Sequence, residues 1–233
     1  MSDADLKVIV ISRFNRAYPH PVDKTPAWYA ERLRLWRQYC MASLAKQTHA
    51  DFEAWLLCDP KLRHLTDPTA EGIDDERFRF VYDNAEAMSR VVGHDRYLRV
   101  RIDSDDAYHP CALEVLAAAA DEMDGEGYIL FERGYAWDDR DGTLLEFNSI
   151  SPPFCGVVET GETFGPGRVG FKSHGRVYTF ARRIIRERMF VVVLHGVNRH
   201  TGRQHPHVGK EITGPERWRV MAEFGLAPPD QEQ

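Results

Sequence analysis

The chain has 233 residues, of which 43% are hydrophobic and 28% charged, a composition typical of a soluble globular protein with one sizeable core. Its formal net charge of −6 argues against nonspecific nucleic-acid binding. No apolar run is long enough to span a membrane, and residues 1–5 lack the basic and apolar regions of a signal peptide. We therefore expect a cytoplasmic protein without a transmembrane segment and without a nucleic-acid partner.

The first half of the chain predicts alternating strands and helices. The β-branched run 6–11 is typical of a buried strand, and Thr25 followed by Pro26 is a helix start signal. An apolar stripe at helical spacing follows, made of Tyr29, Leu33, Trp36, Cys40 and Leu44. Further strands are expected at 52–57, 78–82 and 99–102. Strands that alternate with helices indicate βαβ units and a mostly parallel sheet.

The second half of the chain has a different pattern of predicted elements. A strand is expected at 128–131, and Asp141-Gly142 is typical of a hairpin turn. The segment 151–175 is interpreted as loop-rich, and such loops commonly build substrate pockets. A helix over 177–188 is predicted to lead into a last strand at 190–194.

We expect one domain over residues 1–227, with halves 1–115 and 116–227, and a disordered tail at 228–233. The four cysteines lie in apolar surroundings without C-x-x-C spacing, which predicts buried thiols and neither disulfides nor a zinc site. They are Cys40, Cys58, Cys111 and Cys155.

The most informative stretch is a strand that runs into three carboxylates, Asp103, Asp105 and Asp106. Because residues i and i+2 share one face of a strand, Asp103 and Asp105 project to the same side. Two carboxylates that close repel each other unless a cation compensates them, and hard oxygen ligands suit Mg²⁺ or Mn²⁺. Ligands of open α/β sheets bind beyond the carboxyl ends of the strands. The motif therefore predicts metal-assisted handling of a phosphorylated ligand.

Other interpretations of this motif stay open. Acidic clusters at strand ends are often solvated turns or helix N-termini, and Pro110 opens a helix just downstream. A calcium loop counted from Asp103 is rejected because Tyr108 stands where that loop needs glycine. A D-x-D phosphatase of the haloacid dehalogenase type is a minor alternative, although Asp106-Ala107 stands where such enzymes have Gly-Thr or Gly-Val.

The motif belongs to a longer pattern. The chain reads S-R-F-N at 12–15, W-Y-A-E-R at 28–32, Y-C at 39–40, S-L-A-K-Q-T at 43–48, Phe52, Asp59 and R-I-D-S-D-D-A at 101–107. In this order the segments resemble the rhamnosyltransferase family of GT-A-type glycosyltransferases over most of the first 115 residues. Sparser landmarks follow at Pro152-Pro153-Phe154, His174 and His195-Gly196-Val197-Asn198.

The resemblance implies an α/β GT-A (nucleotide-diphospho-sugar transferase-like) fold, with a mostly parallel central sheet flanked by helices. It also implies a metal site. Asp105 is expected to bind the metal directly, and Asp103 to bind the metal, a metal-bound water or the ribose. Asp106 either completes the shell or caps the next helix. His195 either returns to the metal or is a core histidine bonded to backbone.

Donor and acceptor contacts are expected as well. Arg13, Asp83 and Arg101 are candidates for binding the donor together with Asp103, and the two arginines offer bidentate contacts to phosphate or base. Arg101 could equally pair with the acidic cluster itself. An inverting transferase needs a general base, for which Glu159 is preferred in the loop-rich region. The other candidates are Glu132, Asp138, Asp139 and Glu162.

We therefore expect a metal-dependent glycosyltransferase, using Mn²⁺ or Mg²⁺. It would move a sugar from a nucleotide-diphospho-sugar donor to a glycan or other hydroxyl acceptor, and rhamnosyl transfer is the activity that the family name suggests. The alternative from another class is a noncatalytic GT-A-like module that binds a glycan or a protein partner.

Overall fold

The computed structural model describes residues 5–16, 24–149, 154–164, 181–196, 203 and 205–226. The first half of the chain holds strands β1 (Leu6–Arg13), β2 (Phe52–Leu57), β3 (Phe78–Val81) and β4 (Arg96–Asp103), with helices α1 (Pro26–Leu35), α2 (Ala42–Ala45), α3 (Arg63–Glu71) and α4 (Asn84–Ser89). The second half holds β5 (Ala107–Tyr108), α5 (Ala112–Asp121), β6 (Gly127–Asp138), β7 (Thr143–Asn148), β8 (Cys155–Thr160), β9 (Ala181–Leu194), β10 (Val208–Ile212) and α6 (Gly214–Glu223).

The first four strands lie in the order β3-β2-β1-β4 and are all parallel. β1 is central, and Val10 is in register with Ala54 of β2 and Val100 of β4. Its apolar residues are buried on both faces of the sheet, as continuous apolar runs in parallel sheets predict. The expected α/β class, with a central sheet flanked by helices, is confirmed, and these four parallel strands lie in this half.

The first helix begins as its sequence predicts. The Thr25 side chain accepts a hydrogen bond from Trp28 N at 3.2 Å, and Pro26 occupies the first turn. α1 continues through a π-helical turn (Trp36–Met41) into α2. The predicted stripe packs on one face of the sheet, where Trp36 contacts Phe80 with ring centroids 5.7 Å apart. This packing fixes the helix over the parallel strands.

The second half adds antiparallel strands to β4. β8 pairs antiparallel with β4 and β6, and β7 forms the predicted hairpin with β6 through Asp141-Gly142. Gly142 has φ +70°, a conformation that favours glycine in such a turn. β9 runs parallel to β6 from the pair Tyr128–Ala181 to the pair Asp138–Leu194. Over the described residues, the sheet therefore has ten strands of mixed direction.

One prediction for the second half is wrong, and another is corrected over the residues that the structure describes. The helix expected over 177–188 is a strand from Ala181 onward, because β6 offers a free edge along which β9 pairs, and Ile185 and Met189 are buried there. The loop-rich segment 151–175 contains β8. Residues 150–153, 165–180, 197–202 and 227–233 lie outside the described residues, and with them His174, Pro152-Pro153, Val197-Asn198 and the predicted tail.

All four cysteines are free thiols, three of them buried and Cys111 partly exposed. Within the described ranges, each helix is too short or too polar to cross a membrane.

Candidate functional site

The D-x-D motif lies where β4 ends. Asp103 is the last residue of the strand, and a tight turn follows in which Asp106 N donates to Asp103 O at 3.1 Å. Arg13, the exposed last residue of β1, is in parallel register with Asp103. The structure thus brings these two residues together at the carboxyl edge of the sheet, where ligands of open α/β sheets bind.

Asp105 is held by an arginine from α1. Arg32 Nη1 donates to Asp105 Oδ2 at 3.0 Å, and Arg32 Nη2 donates to Ser104 Oγ. Both side chains are largely buried, with 7% of Arg32 and 13% of Asp105 exposed. The helix that packs on the sheet therefore fixes the centre of the acidic motif.

His195 reaches the same carboxylate from the end of β9. His195 Nε2 lies 2.7 Å from Asp105 Oδ2. Burial raises the pKa of the Asp105 carboxyl, but the charge of Arg32 and the hydrogen bond of His195 outweigh this and hold its pKa well below the usual range. Asp105 is therefore ionised at neutral pH.

Asp106 has a structural contact. Its Oδ1 accepts a hydrogen bond from Val193 N of β9 at 2.9 Å, and it does not cap α5, which begins after Cys111. Burial, together with the neighbouring charges of Asp105 and Asp103, raises the pKa of Asp106 well above its usual range. Asp106 thus ties the turn after β4 to the strand that carries His195.

Arg101 pairs with the acidic motif, one of the two alternatives predicted for it. Arg101 Nη2 donates to Asp103 Oδ1 at 3.1 Å; 7% of the Arg101 side chain and 35% of Asp103 are exposed. Tyr108 donates a hydrogen bond to the Arg101 carbonyl oxygen. Asp103 therefore keeps an exposed carboxylate edge beside a buried cation.

Asp83 lies apart from this group. It is exposed at the carboxyl end of β3 and caps α4, accepting a hydrogen bond from Ala85 N at 2.8 Å. β2 and β1 stand between β3 and β4, so the strand spacing alone separates Asp83 from Asp103 by roughly 14 Å. Between them lies a polar network in which Asn15 Oδ1 accepts from Asp59 N at 2.7 Å and Lys24 pairs with Asp59 at 2.6 Å.

Glu159 is not at the carboxyl edge. It is in register with Tyr97, near the start of β4, and pairs with Arg99 through two contacts of 3.0 Å. Only 3% of the Glu159 side chain and 6% of Arg99 are exposed. A buried ion pair some distance along the strand from Asp105 argues against Glu159 as the general base.

Asp139 is the base candidate that the structure places beside His195. Its backbone N donates to Leu194 O at 2.9 Å, and its carboxylate accepts hydrogen bonds from Tyr39 and, at 2.6 Å, from Arg34. The carboxylate keeps 16% of its surface exposed. Burial first, and the hydrogen bond to Asp139 second, raise the pKa of Tyr39, so the phenol stays a donor.

The remaining three candidates have other surroundings. Asp138 is fully buried and pairs with Arg140 and Arg203, both at 2.7 Å. Glu132 lies 3.5 Å from Arg186, and Glu162 is exposed in the turn after β8. None of these contacts joins the group around Asp105.

Sequence reasoning missed Arg32, Tyr39 and Lys24. Arg32 and Tyr39 lie on the helical segment whose apolar stripe predicts core packing, and a charge or hydroxyl on such a segment is normally solvated. The sequence signal for Arg32 and Tyr39 was the family resemblance. Its motifs W-Y-A-E-R and Y-C include these two residues but assign them no role.

The residues fit a divalent metal with two protein ligands. Asp105 and His195 supply one oxygen and one nitrogen that now share a hydrogen bond of 2.7 Å. Adjacent ligands that each lie at about 2.1 Å from an octahedral metal are about 3.0 Å apart, so a metal here would replace that hydrogen bond with a small separation of the two groups. Asp103 turns toward Arg101. Within the described ranges, no three His, Cys, Asp or Glu side chains gather into a group that could hold a metal. A cation here would need phosphate oxygens or water to complete its shell, as Mg²⁺ commonly does.

The sequence matches no protein-family model and no curated protein. The fold is similar to that of S. aureus TarS 1-349 in complex with UDP, at 14% identity and a TM-score of 0.45, over 95% of this chain and 64% of that chain. It is also similar to a Desulfovibrio desulfuricans G20 protein named as a nucleotide-diphospho-sugar transferase, at 13% identity and a TM-score of 0.38, over 82% of this chain and 80% of that chain. This chain thus spans less than two thirds of the TarS structure.

Proposed function

We propose that this chain is a GT-A-type glycosyltransferase that uses a nucleotide-diphospho-sugar donor together with Mn²⁺ or Mg²⁺. The observation that carries the proposal is the convergence of Asp105 and His195, 2.7 Å apart, at the carboxyl end of β4. The charge of Asp105, the open edge of Asp103 and the adjacent Arg13 suit a metal–diphosphate group. The sequence resemblance to the rhamnosyltransferase family supports the same reaction.

On the donor side, Asp105 and His195 would hold the metal, and Arg13 would contact the diphosphate from the end of β1. The metal supplies Lewis-acid stabilisation of the charge that develops on the leaving nucleoside diphosphate. Arg32 keeps the Asp105 carboxylate in place throughout, because its guanidinium also bonds Ser104 in the same turn.

On the acceptor side, Asp139 is our candidate for the carboxylate that receives the proton of the acceptor hydroxyl. It is adjacent to Leu194 and therefore to the strand end that carries His195. Tyr39 and Arg34 fix its two oxygens, and fixed geometry is what a general base requires. A retaining enzyme would not need this group as a base.

The test is release of nucleoside diphosphate from dTDP-rhamnose, UDP-glucose, UDP-galactose and GDP-mannose in the presence of Mn²⁺. Because the leaving group is stabilised even without the true acceptor, water should serve as a poor substitute and give slow hydrolysis. Asp105→Asn should abolish release, whereas Asp121→Asn, a control with 65% of its side chain exposed on α5, should not.

Two outcomes would count against the proposal. Tight donor binding with no release, even with glycan acceptors present, favours the noncatalytic module. Release that persists in Asp105→Asn would place the chemistry elsewhere.

A further inference from the structure

Both carboxylates of the D-x-D motif already have an arginine partner from within the chain. Arg32 Nη1 lies 3.0 Å from Asp105 Oδ2, and Arg101 Nη2 lies 3.1 Å from Asp103 Oδ1. Each arginine side chain is only 7% exposed. The motif that is expected to bind a divalent metal ion is therefore already paired with two arginine side chains.

The fold keeps these cations in place. Arg32 is on α1, which packs over the sheet, and its second nitrogen bonds Ser104 between the two aspartates. Arg101 is inside β4 and faces the same side as Asp103, two residues further on. Guanidinium groups stay charged at every ordinary pH. The positive charges of Arg32 and Arg101 therefore remain at the site at every ordinary pH.

We infer that Arg32 and Arg101 are internal counter-ions that suppress binding of a free divalent cation at the motif, so that the site accepts the metal only together with a diphosphate. This inference rests on the proposed function. A dication beside Asp105 would lie within a few ångströms of a buried guanidinium, and like charges at that distance repel strongly in a weakly polar interior. The negative charge of a diphosphate would offset both the arginines and the metal.

The two arginines should contribute unequally. Asp105 has 13% of its side chain exposed, and Asp103 has 35%. Solvent screens charges near Asp103 more effectively. Removing the charge of Arg32 should therefore change free-metal affinity more than removing that of Arg101.

The experiment measures binding of free Mn²⁺, from the electron paramagnetic resonance signal of hydrated Mn²⁺, without any nucleotide. Wild type should bind Mn²⁺ weakly. Arg32→Gln should bind it more tightly by at least about tenfold, and Arg101→Gln should show a smaller gain. Arg32→Lys keeps the charge and should stay close to wild type.

The matched control is Arg77→Gln, in an arginine–aspartate pair just before β3, at the end of the parallel strands opposite the motif. Arg77 pairs with Asp75 at 2.7 Å and not with the motif, so its loss should leave Mn²⁺ affinity unchanged. Adding Asp105→Asn to Arg32→Gln should abolish the gain, which shows that the new affinity lies at Asp105.

Unchanged or weaker Mn²⁺ binding in folded Arg32→Gln would overturn the inference. If that variant does not fold, Arg101→Gln decides: a gain supports the inference and no gain overturns it. Failure of the proposed function has a different signature: wild type would bind Mn²⁺ with UDP, GDP or dTDP no more tightly than Mn²⁺ alone, whatever the arginine variants do.

Discussion

His195 Nε2 lies 2.7 Å from Asp105 Oδ2, although the two residues are 90 positions apart in the chain. β9 makes the contact possible because it pairs with β6 as far as Leu194, directly before the histidine. Asp106 also links the turn after β4 to β9, because its carboxylate accepts a hydrogen bond from Val193 N. The candidate site therefore depends on the register of β9 as much as on the acidic motif.

Asp105→Asn should lose metal-dependent nucleotide binding and also lower stability by about 3 kcal/mol, because it leaves the charge of Arg32 buried with a weaker partner. Titration calorimetry with UDP, GDP and dTDP plus Mn²⁺, and urea unfolding, measure the two effects. Unchanged nucleotide affinity in the variant would remove Asp105 from the ligand set.

Gly134→Ala should destabilise the protein by about 1–3 kcal/mol through overpacking. A Cβ at Gly134 would lie within 2.5 Å of the Phe190 side chain, and the nearby Phe190 carbonyl oxygen belongs to the backbone of β9 and cannot rotate away. Gly72→Ala is the control, since its Cβ would have only ordinary contacts, the nearest at 3.7 Å. Equal unfolding midpoints for the two variants would mean that β9 can shift without cost.

Glu159→Gln should cost about 3–5 kcal/mol of stability, because it removes the carboxylate charge that lies 3.0 Å from the buried Arg99 guanidinium. Replacing both residues by apolar ones, Arg99→Met with Glu159→Leu, should recover much of that loss. Thermal unfolding compares the variants. A Glu159→Gln protein as stable as wild type but without donor hydrolysis would instead return Glu159 to the role of base.

Asp138→Asn should make stability less dependent on pH in acid. The hydrogen bond from Arg140, followed by contacts with Arg203, lowers the pKa of Asp138 to about 2, below the value of about 3.9 in an unfolded chain. The stabilisation is thus complete above about pH 4 and is lost as the pH falls through about 2. Urea unfolding of wild type between these pH values should show a decline that is smaller in the variant; parallel curves would contradict the ion pairing.

Tyr39→Phe should lower the kcat of donor hydrolysis by about tenfold while leaving the donor KM unchanged, because Asp139 loses the hydroxyl that fixes it. Tyr29→Phe is the control, because Tyr29 lies on the same helical segment as Tyr39. Its hydroxyl shares a hydrogen bond of 2.9 Å with Thr69 and does not contact Asp139. Steady-state kinetics on the best donor of the panel separates the two constants. Equal kcat values for the two variants would show that Tyr39 does not position a general base, and would exclude Asp139 from that role.

Local sequence patterns were enough to predict the parallel half of the fold. Residues 8–11 and 54–57 are buried on both faces of the sheet, so their apolar content is continuous and marks them as strands. Thr25 and Pro26 placed the start of α1 for a local reason, since capping involves only neighbouring residues. The same local logic located Asp103 and Asp105 at a strand end.

Which residues join that strand end depends on how distant elements of the chain pack together. Arg32 and Tyr39 look like solvated or core positions of a helix until the helix is docked on the sheet, and Glu159 looks like a loop residue until β8 pairs with β4. The charged stretch 183–188 has a composition that suits a helix, and it is a strand because β6 offers it an edge. Pairing partners distant in the chain override local propensity, so neither the strand nor the approach of His195 to Asp105 could be read from neighbouring residues.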